Sequence, residues 1–168
     1  MRPERNEAAD YYFVYIDRIQ SDDIVNALSD QLTESMNFLS NISEEQSLKR
    51  YAPDKWSVRE LQSHVNDTER VFVSRALWFA RGFSESLPSF DQNICVANAA
   101  ADEVTWVNLV DEFRNIRLST INFFQNLPEA AWQRSGIASD NPFTVRALAY
   151  IIAGHVSHHN SVLKERYL

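Results

Sequence analysis

The stretch that decides the fold is Ile151-Ile152-Ala153-Gly154-His155-Val156-Ser157-His158-His159, in which apolar residues and two histidines recur at helical spacing. Its continuation on both sides forms one stripe, made up of Leu148, Ile151, Ile152, His155, His159, Val162 and Leu163. This stripe predicts an amphipathic helix that begins near Thr144 and buries the face bearing both histidines. His155 and His159 are four residues apart, so their imidazoles leave the helix side by side and can hold one metal ion.

A third histidine, His64, lies in another predicted helix. The run Ser57-Val58-Arg59-Glu60 is a capping box and predicts where that helix begins. Its apolar face then consists of Leu61, Val65, Thr68, Phe72, Ala76 and Phe79. His64 lies at the margin of this face, so it can meet His155 and His159 across a helix pair. The three together predict a three-histidine metal site with a coordination position left for water or substrate.

Two neighbouring side chains each have two interpretations. His158 could contact and support a metal ligand without binding the metal itself, but an exposed position or one at the rim of the site is favoured. Asp67 could orient His64 or supply a carboxylate, but a solvated helix acid is favoured. A single histidine on an apolar face is more often a hydrogen-bonded core residue than a ligand, and only the group of three favours a metal. The sequence therefore predicts His64, His155 and His159 as metal ligands, and it does not indicate which residues are catalytic.

The rest of the chain predicts an all-α fold. Only three glycines and five prolines occur, and strict alternation of apolar and polar residues is scarce, which favours helices over sheet. Two more long helices are predicted over residues 22–39 and 102–127, and an aromatic arm over residues 11–16 is expected to pack across the bundle. The connection of about twenty residues between 82 and 101 is long enough to cross from one end to the other. The expected fold is a four-helix bundle of up-down-down-up topology.

Composition limits the partners and the compartment. The 168 residues predict a single domain over residues 1–168, and the net charge is −7 with neutral histidines. Such an acidic chain is not expected to bind nucleic acid, which needs dense basic patches. The N-terminus does not resemble a signal peptide, and no apolar window is long enough to span a bilayer. The lone Cys95 cannot pair within the chain. We therefore expect a cytoplasmic protein without membrane contact.

Several catalytic motifs are absent from the sequence. It contains no glycine-rich phosphate loop, no nucleophile elbow and no His-Glu-x-x-His run. Nothing beside Cys95 marks it as an activated thiolate. These absences disfavour the hydrolase and nucleotide-binding classes.

A resemblance to a known family extends the prediction. It rests on four segments: Tyr51-Ala52-Pro53-Asp54-Lys55-Trp56-Ser57-Val58-Arg59-Glu60-Leu61, His64 through Thr68-Glu69-Arg70-Val71-Phe72, Leu87-Pro88-Ser89-Phe90-Asp91-Gln92, and Val145-Arg146-Ala147-Leu148 through Gly154-His155 to His159. In this order they resemble the DinB-like superfamily of metal-dependent proteins over nearly the whole chain. The resemblance implies an up-down-down-up four-helix bundle, usually dimeric, with a divalent metal at His64, His155 and His159. It also implies a relation to transferases that use low-molecular-weight thiols such as bacillithiol or mycothiol.

Two functional hypotheses follow. The first is a metal-dependent enzyme in which zinc or nickel at the three histidines activates a thiol cofactor or water for reaction with a small-molecule substrate, with S-transfer from bacillithiol as the thiol case. The alternative is a non-catalytic helical dimer with a structural metal that binds a partner or small molecule. An open coordination position in a cleft favours the enzyme, and a closed tetrahedral shell favours the structural role.

Overall fold

The computed structural model describes residues 2–168 and is mostly helical. Its α-helices are α1 Phe13–Ile16, α2 Ile24–Leu39, α3 Val58–Ala80, α4 Gln92–Ala99, α5 Trp106–Gln125 and α6 Val145–Arg166. Strands β1 Ser135–Ala138 and β2 Asn141–Thr144 form an antiparallel hairpin. The four long helices α2, α3, α5 and α6 match the four predicted from the sequence, and the small sheet departs from the all-α prediction.

The two helices that carry histidines begin where their capping residues predict. The Ser57 side chain accepts the backbone N–H of Glu60, and the Glu60 carboxylate accepts the backbone N–H of Ser57, so the capping box is confirmed. At the start of α6 the Thr144 hydroxyl accepts the backbone N–H of Ala147. Both side chains satisfy donors that the first helical turn leaves unpaired. The caps therefore fix where His64 and His155 lie along their helices.

The third long helix and its surroundings differ from the sequence prediction. Helix α5 begins at Trp106 rather than 102, because Ala101–Glu103 forms a separate 3-10 turn. The carboxylate of Asp102 in that turn accepts from the Ser57 hydroxyl at 2.5 Å, which ties the turn to the start of α3. The long connection over residues 82–101 contains α4, which was not predicted.

Hydrogen bonds show how α3 lies beside α5. Asn66 donates to the backbone oxygen of Leu109 at 3.1 Å, and Arg117 forms two 2.8 Å bonds with the Glu69 carboxylate. Residue numbers therefore rise together along the two helices, which run in the same direction. Arg117 and Glu69 are 0% and 1% exposed at their side chains, so this ion pair is part of the interior.

Helix α6 lies against both α3 and α2. The Tyr167 hydroxyl donates to the backbone oxygen of Trp56 at 2.8 Å, which joins the end of α6 to the start of α3. These two helices are therefore antiparallel. Gln31 of α2 donates to the Ser157 hydroxyl at 2.8 Å, and Ser35 accepts from Asn160 further along at 3.0 Å, so α2 and α6 run in the same direction.

The aromatic arm packs on α6, as the sequence predicts. A Cβ atom added at Gly154 would lie 2.1 Å from the backbone oxygen of Tyr15, so only glycine allows this approach of α1 to α6. The contact places the centre of the Tyr15 ring 5.4 Å from the centre of the His155 ring. Among residues 2–168, no helix is long and apolar enough to cross a membrane.

Candidate metal centre

Three histidine side chains from α3 and α6 meet at one point. Nε2 of His155 lies 3.1 Å from Nε2 of His64 and 3.1 Å from Nε2 of His159. All three donor atoms lie within 4.8 Å of one another. The antiparallel helix pair and the four-residue spacing within α6 together produce this convergence. The geometry expected of the three sequence-predicted residues is therefore present, and their binding of a metal stays a prediction.

Burial keeps these imidazoles neutral. His64 and His155 are 4% and 5% exposed, and His159 is half-buried. Removal from water lowers the pKa of His64 to about 4. The pKa of His159 is lowered to about 3 by burial and, to a smaller extent, by the neighbouring His64 and His158. The pKa of His155 is lowered well below its usual value by burial and by the adjacent histidines. Neutral imidazoles have the free lone pair that a metal ligand needs.

Thr68 orients the His64 ring. Its hydroxyl lies 3.3 Å from Nδ1 of His64, one helical turn along α3. If Nδ1 carries the proton and donates to this oxygen, the Nε2 lone pair points at the other histidines. The sequence placed Thr68 only on the apolar face and considered Asp67 for this role. Asp67 instead accepts from Arg70 at 3.4 Å and is not part of the three-residue donor group.

The arrangement fits a divalent metal ion. Three lone pairs directed at one point repel one another unless a cation or shared proton lies between them. Two imidazole nitrogens bound to one tetrahedral zinc ion lie about 3.3 Å apart, close to the 3.1 Å separations found here. In residues 2–168 no other histidine, cysteine, aspartate or glutamate joins the donor group. Three nitrogen ligands with a fourth position free are typical of catalytic zinc sites.

His158 lies at the rim of the centre. Its ring is half-buried, 4.9 Å from the His159 ring and 5.6 Å from the Tyr15 ring. Nδ1 of His158 and Nδ1 of His159 are both buried without a hydrogen-bond partner in the described part of the chain. The position agrees with the rim interpretation favoured from the sequence.

Two clefts open beside the three histidines. The first cleft has a volume of about 440 Å³, and the residues that line it include Tyr15, His64, Phe72, Arg75, Gln92 and His155. The second cleft, of about 350 Å³, is bordered by Lys55, Trp56, Asn93, His158 and His159. Gln92 lines the first cleft and Asn93 lines the second, so the start of α4 borders both. The connection that was predicted only as a crossing segment therefore helps to build the site.

Arg75 is a cleft residue that the sequence prediction missed. It follows Phe72 on α3 and is 5% exposed, and its Nη2 donates to the backbone oxygen of Pro88 at 3.1 Å and to the Ser139 hydroxyl at 2.8 Å. These contacts hold the guanidinium against the segment before α4 and the turn of the hairpin. Only its helical spacing from His64 and Thr68 could have indicated that it faces the site.

The fold is a helical bundle in which three imidazole nitrogens from facing helices meet beside a cleft. These features place the chain in the class of helical-bundle proteins with a candidate metal centre. The chain belongs to the DinB superfamily, whose family model matches residues 27–163. The resemblance noted in the sequence is thereby confirmed.

Comparison with solved structures gives the same fold. YfiT from Bacillus subtilis, described as a probable metal-dependent hydrolase with an unusual four-helix bundle topology, matches with a TM-score of 0.68. The match covers 98% of this chain and 90% of YfiT at 12% sequence identity. No curated protein matches the sequence. At this identity the likeness to YfiT shows the fold alone.

Proposed function

We propose that His64, His155 and His159 bind one divalent metal ion and that the protein is a metal-dependent enzyme. The observation that carries this proposal is the convergence of three neutral imidazole nitrogens within 4.8 Å at the edge of a cleft. A structural site would be expected to have a fourth protein ligand and no adjoining cavity. The open side therefore favours catalysis over the alternative of a structural metal in a binding protein.

The chain's own residues would prepare the site for an incoming nucleophile. Thr68 would keep the His64 ring in the tautomer that leaves Nε2 free. The rings of Trp56 and Tyr15, 5.0 Å from His64 and 5.4 Å from His155, would limit the access of water. A divalent cation held there lowers the pKa of a coordinated thiol or water, which makes either a better nucleophile at neutral pH.

We infer that the nucleophile is a low-molecular-weight thiol such as bacillithiol and that the reaction is S-transfer to a small electrophile. The thiol loses its proton, its sulfur bonds to a carbon of the electrophile, and the electrophile's leaving group, such as the chloride of monochlorobimane, departs. Support comes from the resemblance to thiol-dependent transferases and from a first cleft of about 440 Å³, a size suited to a small molecule. Zinc and nickel both suit three imidazole ligands. Water is the second candidate nucleophile, because YfiT is described as a probable hydrolase.

The test is a turnover assay with zinc-loaded or nickel-loaded protein. Bacillithiol, mycothiol, glutathione and cysteine are each offered with monochlorobimane, and p-nitrophenyl acetate is offered without thiol. We expect thiol conjugation that stops with chelator and in His155→Ala, while Cys95→Ser, which changes the chain's only thiol, retains it. Ester hydrolysis without conjugation would assign water as the nucleophile. No turnover with either metal would favour the structural interpretation.

We also infer that the helices follow the up-down-down-up order within a single domain over residues 1–168. The support is the common direction of α3 and α5, the common direction of α2 and α6, and the antiparallel arrangement of α3 and α6. An order of this kind needs a connection that crosses the bundle between α3 and α5. The segment over residues 82–101 supplies that length.

We further propose that the protein is a homodimer. Support comes from the family resemblance and from large apolar side chains on the surface of α5, where Val107 and Leu118 are 60% and 45% exposed. Light scattering at micromolar concentration should give twice the chain mass of 19.4 kDa. A mass equal to one chain would contradict the dimer and leave the metal proposal unaffected.

A further inference from the structure

The positive charge of Arg75 has no carboxylate partner in residues 2–168. Three arginines on α3 and α5 are buried, and two of them are paired, Arg59 with Glu44 and Arg117 with Glu69. Arg75 contacts only neutral oxygens, those of Pro88 and Ser139, together with the Tyr12 phenol. Burial raises the pKa of Tyr12, so that phenol stays uncharged at neutral pH. A buried cation without a counter-charge is costly.

One acidic residue, Asp91, lines the first cleft, and it caps a helix rather than pairing with Arg75. Its Oδ1 accepts the backbone N–H groups of Asn93 and Ile94 at 2.9 and 3.1 Å at the start of α4. Burial lowers the pKa of Arg75, and the Tyr12 phenol is the one neighbour that opposes this effect. In residues 2–168 no acidic residue of the cleft wall therefore forms an ion pair with Arg75.

Arg75 faces the same cleft as His64 and His155 and lies close enough for one small molecule to reach them. Its guanidinium carbon is 5.6 Å from the centre of the Phe72 ring, which in turn lies 6.5 Å from the His155 ring. A single aromatic side chain, Phe72, thus lies between the cation and the His155 imidazole. Guanidinium groups bind carboxylates and phosphates through paired hydrogen bonds.

We propose that the first cleft binds a small molecule carrying a carboxylate or phosphate group, with Arg75 as the anchor for that anion. The placement of the molecule's reactive end against the three histidines rests on the proposed metal-dependent function. The binding of the anion by Arg75 does not rest on that function, because Arg75 is not one of the three proposed metal ligands. The anion supplies the counter-charge that the chain lacks, and the aromatic walls supply contact for an apolar body.

The test measures the affinity of the protein for three probes of similar shape. Benzoate, its neutral isostere benzamide and phenyl phosphate are titrated calorimetrically into zinc-loaded and metal-free protein. We expect the better anion to bind about tenfold more tightly than benzamide, as charge-assisted hydrogen bonds predict. Whether benzoate or phenyl phosphate binds more tightly distinguishes a carboxylate ligand from a phosphate ligand.

Variants assign the preference to Arg75. Arg75→Gln should abolish it and Arg75→Lys should retain part of it. Arg81→Gln removes an exposed charge at the end of the same helix and should leave it unchanged. No preference of the wild type for either benzoate or phenyl phosphate over benzamide, no binding of any probe at millimolar concentration, or an unchanged preference in Arg75→Gln would overturn the proposal. Where Arg75→Gln does not fold, the metal-free wild type decides the matter, because no metal ion can attract the anion there: an anion preference supports the proposal and its absence overturns it.

The two proposals fail in different ways. If the protein takes up no zinc but still prefers anions, the Arg75 anchor is supported and the metal centre is contradicted. Zinc uptake without an anion preference would support the metal centre and contradict the anchor.

Discussion

His64 and His155 are 91 residues apart in the sequence, yet their Nε2 atoms lie 3.1 Å apart between α3 and α6. Both rings are neutral because burial lowers their pKa. Two neutral imidazole nitrogens at this distance need a shared proton or a cation between them, and the third nitrogen of His159 cannot be satisfied by the same proton. A metal ion satisfies all three.

Thr68→Val should weaken metal binding while preserving the fold. Valine has nearly the same shape as threonine but cannot accept a hydrogen bond from Nδ1 of His64, so the ring loses its fixed tautomer. Loss of a residue that orients a metal ligand typically lowers affinity by about 10–100-fold. Competition with a zinc-sensitive dye measures the change, and Thr68→Ser is the matched control that keeps the hydroxyl. Equal affinities for the two variants would contradict this role for Thr68.

Glu69→Gln should destabilise the protein far more than Asp67→Asn. The first change leaves the Arg117 guanidinium, which is 0% exposed, without its counter-charge, at a cost of about 3–5 kcal/mol. The second removes the partner of an exposed arginine, Arg70, at 3.4 Å and should cost less than about 1 kcal/mol. Urea unfolding measures both free energies. Similar losses would show that the buried pair is not the stabilising contact.

The metal-free protein should lose stability as the pH falls below 6.5. The folded pKa of His64 is lowered from 6.5 to about 4, so the unfolded chain binds a proton in this range that the folded chain does not. The contribution of neutral His64 is complete above pH 6.5 and is lost as the pH falls toward 4, on the order of 3 kcal/mol in total. Unfolding measured from pH 7 to 4 should show this slope, and His64→Gln should reduce it. An identical slope in the variant would contradict the assignment.

His159→Ala separates a catalytic metal from a structural one. The buried apolar residues between Leu148 and Leu163 are unchanged by this substitution, so we expect the helices to stay folded while metal and thiol-dependent turnover are lost. Thermal melts of wild type and variant, each with and without chelator, measure the effect. A chelator that lowers the melting temperature of the wild type sharply, with no turnover of any substrate offered, would favour a structural metal.

The parts of the structure that follow from local chemistry could be predicted from the sequence. The starts of α3 and α6 depend on Ser57 and Thr144, whose capping bonds involve residues three positions away. The convergence of His64 with His155 and His159 follows from helical periodicity once two such helices pack. The family and the long helices could therefore be predicted from the sequence alone.

The remaining features depend on contacts distant in sequence. The hairpin turns at Ser139 and Asp140, both at positive φ without glycine, so no glycine-containing turn signal marks it. Gly136 lets β1 approach α3, since a Cβ atom there would lie 2.1 Å from the Phe79 ring.

From the sequence, Arg75 would be taken for an ordinary surface cation. In the structure, the hairpin and the segment before α4 cover it. Its helical spacing from His64 and Thr68 could have indicated the face it lies on, but its burial depends on these distant segments.

The most direct test of the metal centre is the metal content of protein purified without a histidine tag and dialysed after incubation with zinc. Mass spectrometry of the metal should give one zinc per chain for the wild type and for His158→Ala, and almost none for His155→Ala, whose nitrogen lies 3.1 Å from both of the others. Equal zinc in wild type and His155→Ala, or none in the wild type, would contradict the proposal that these three histidines bind a metal ion.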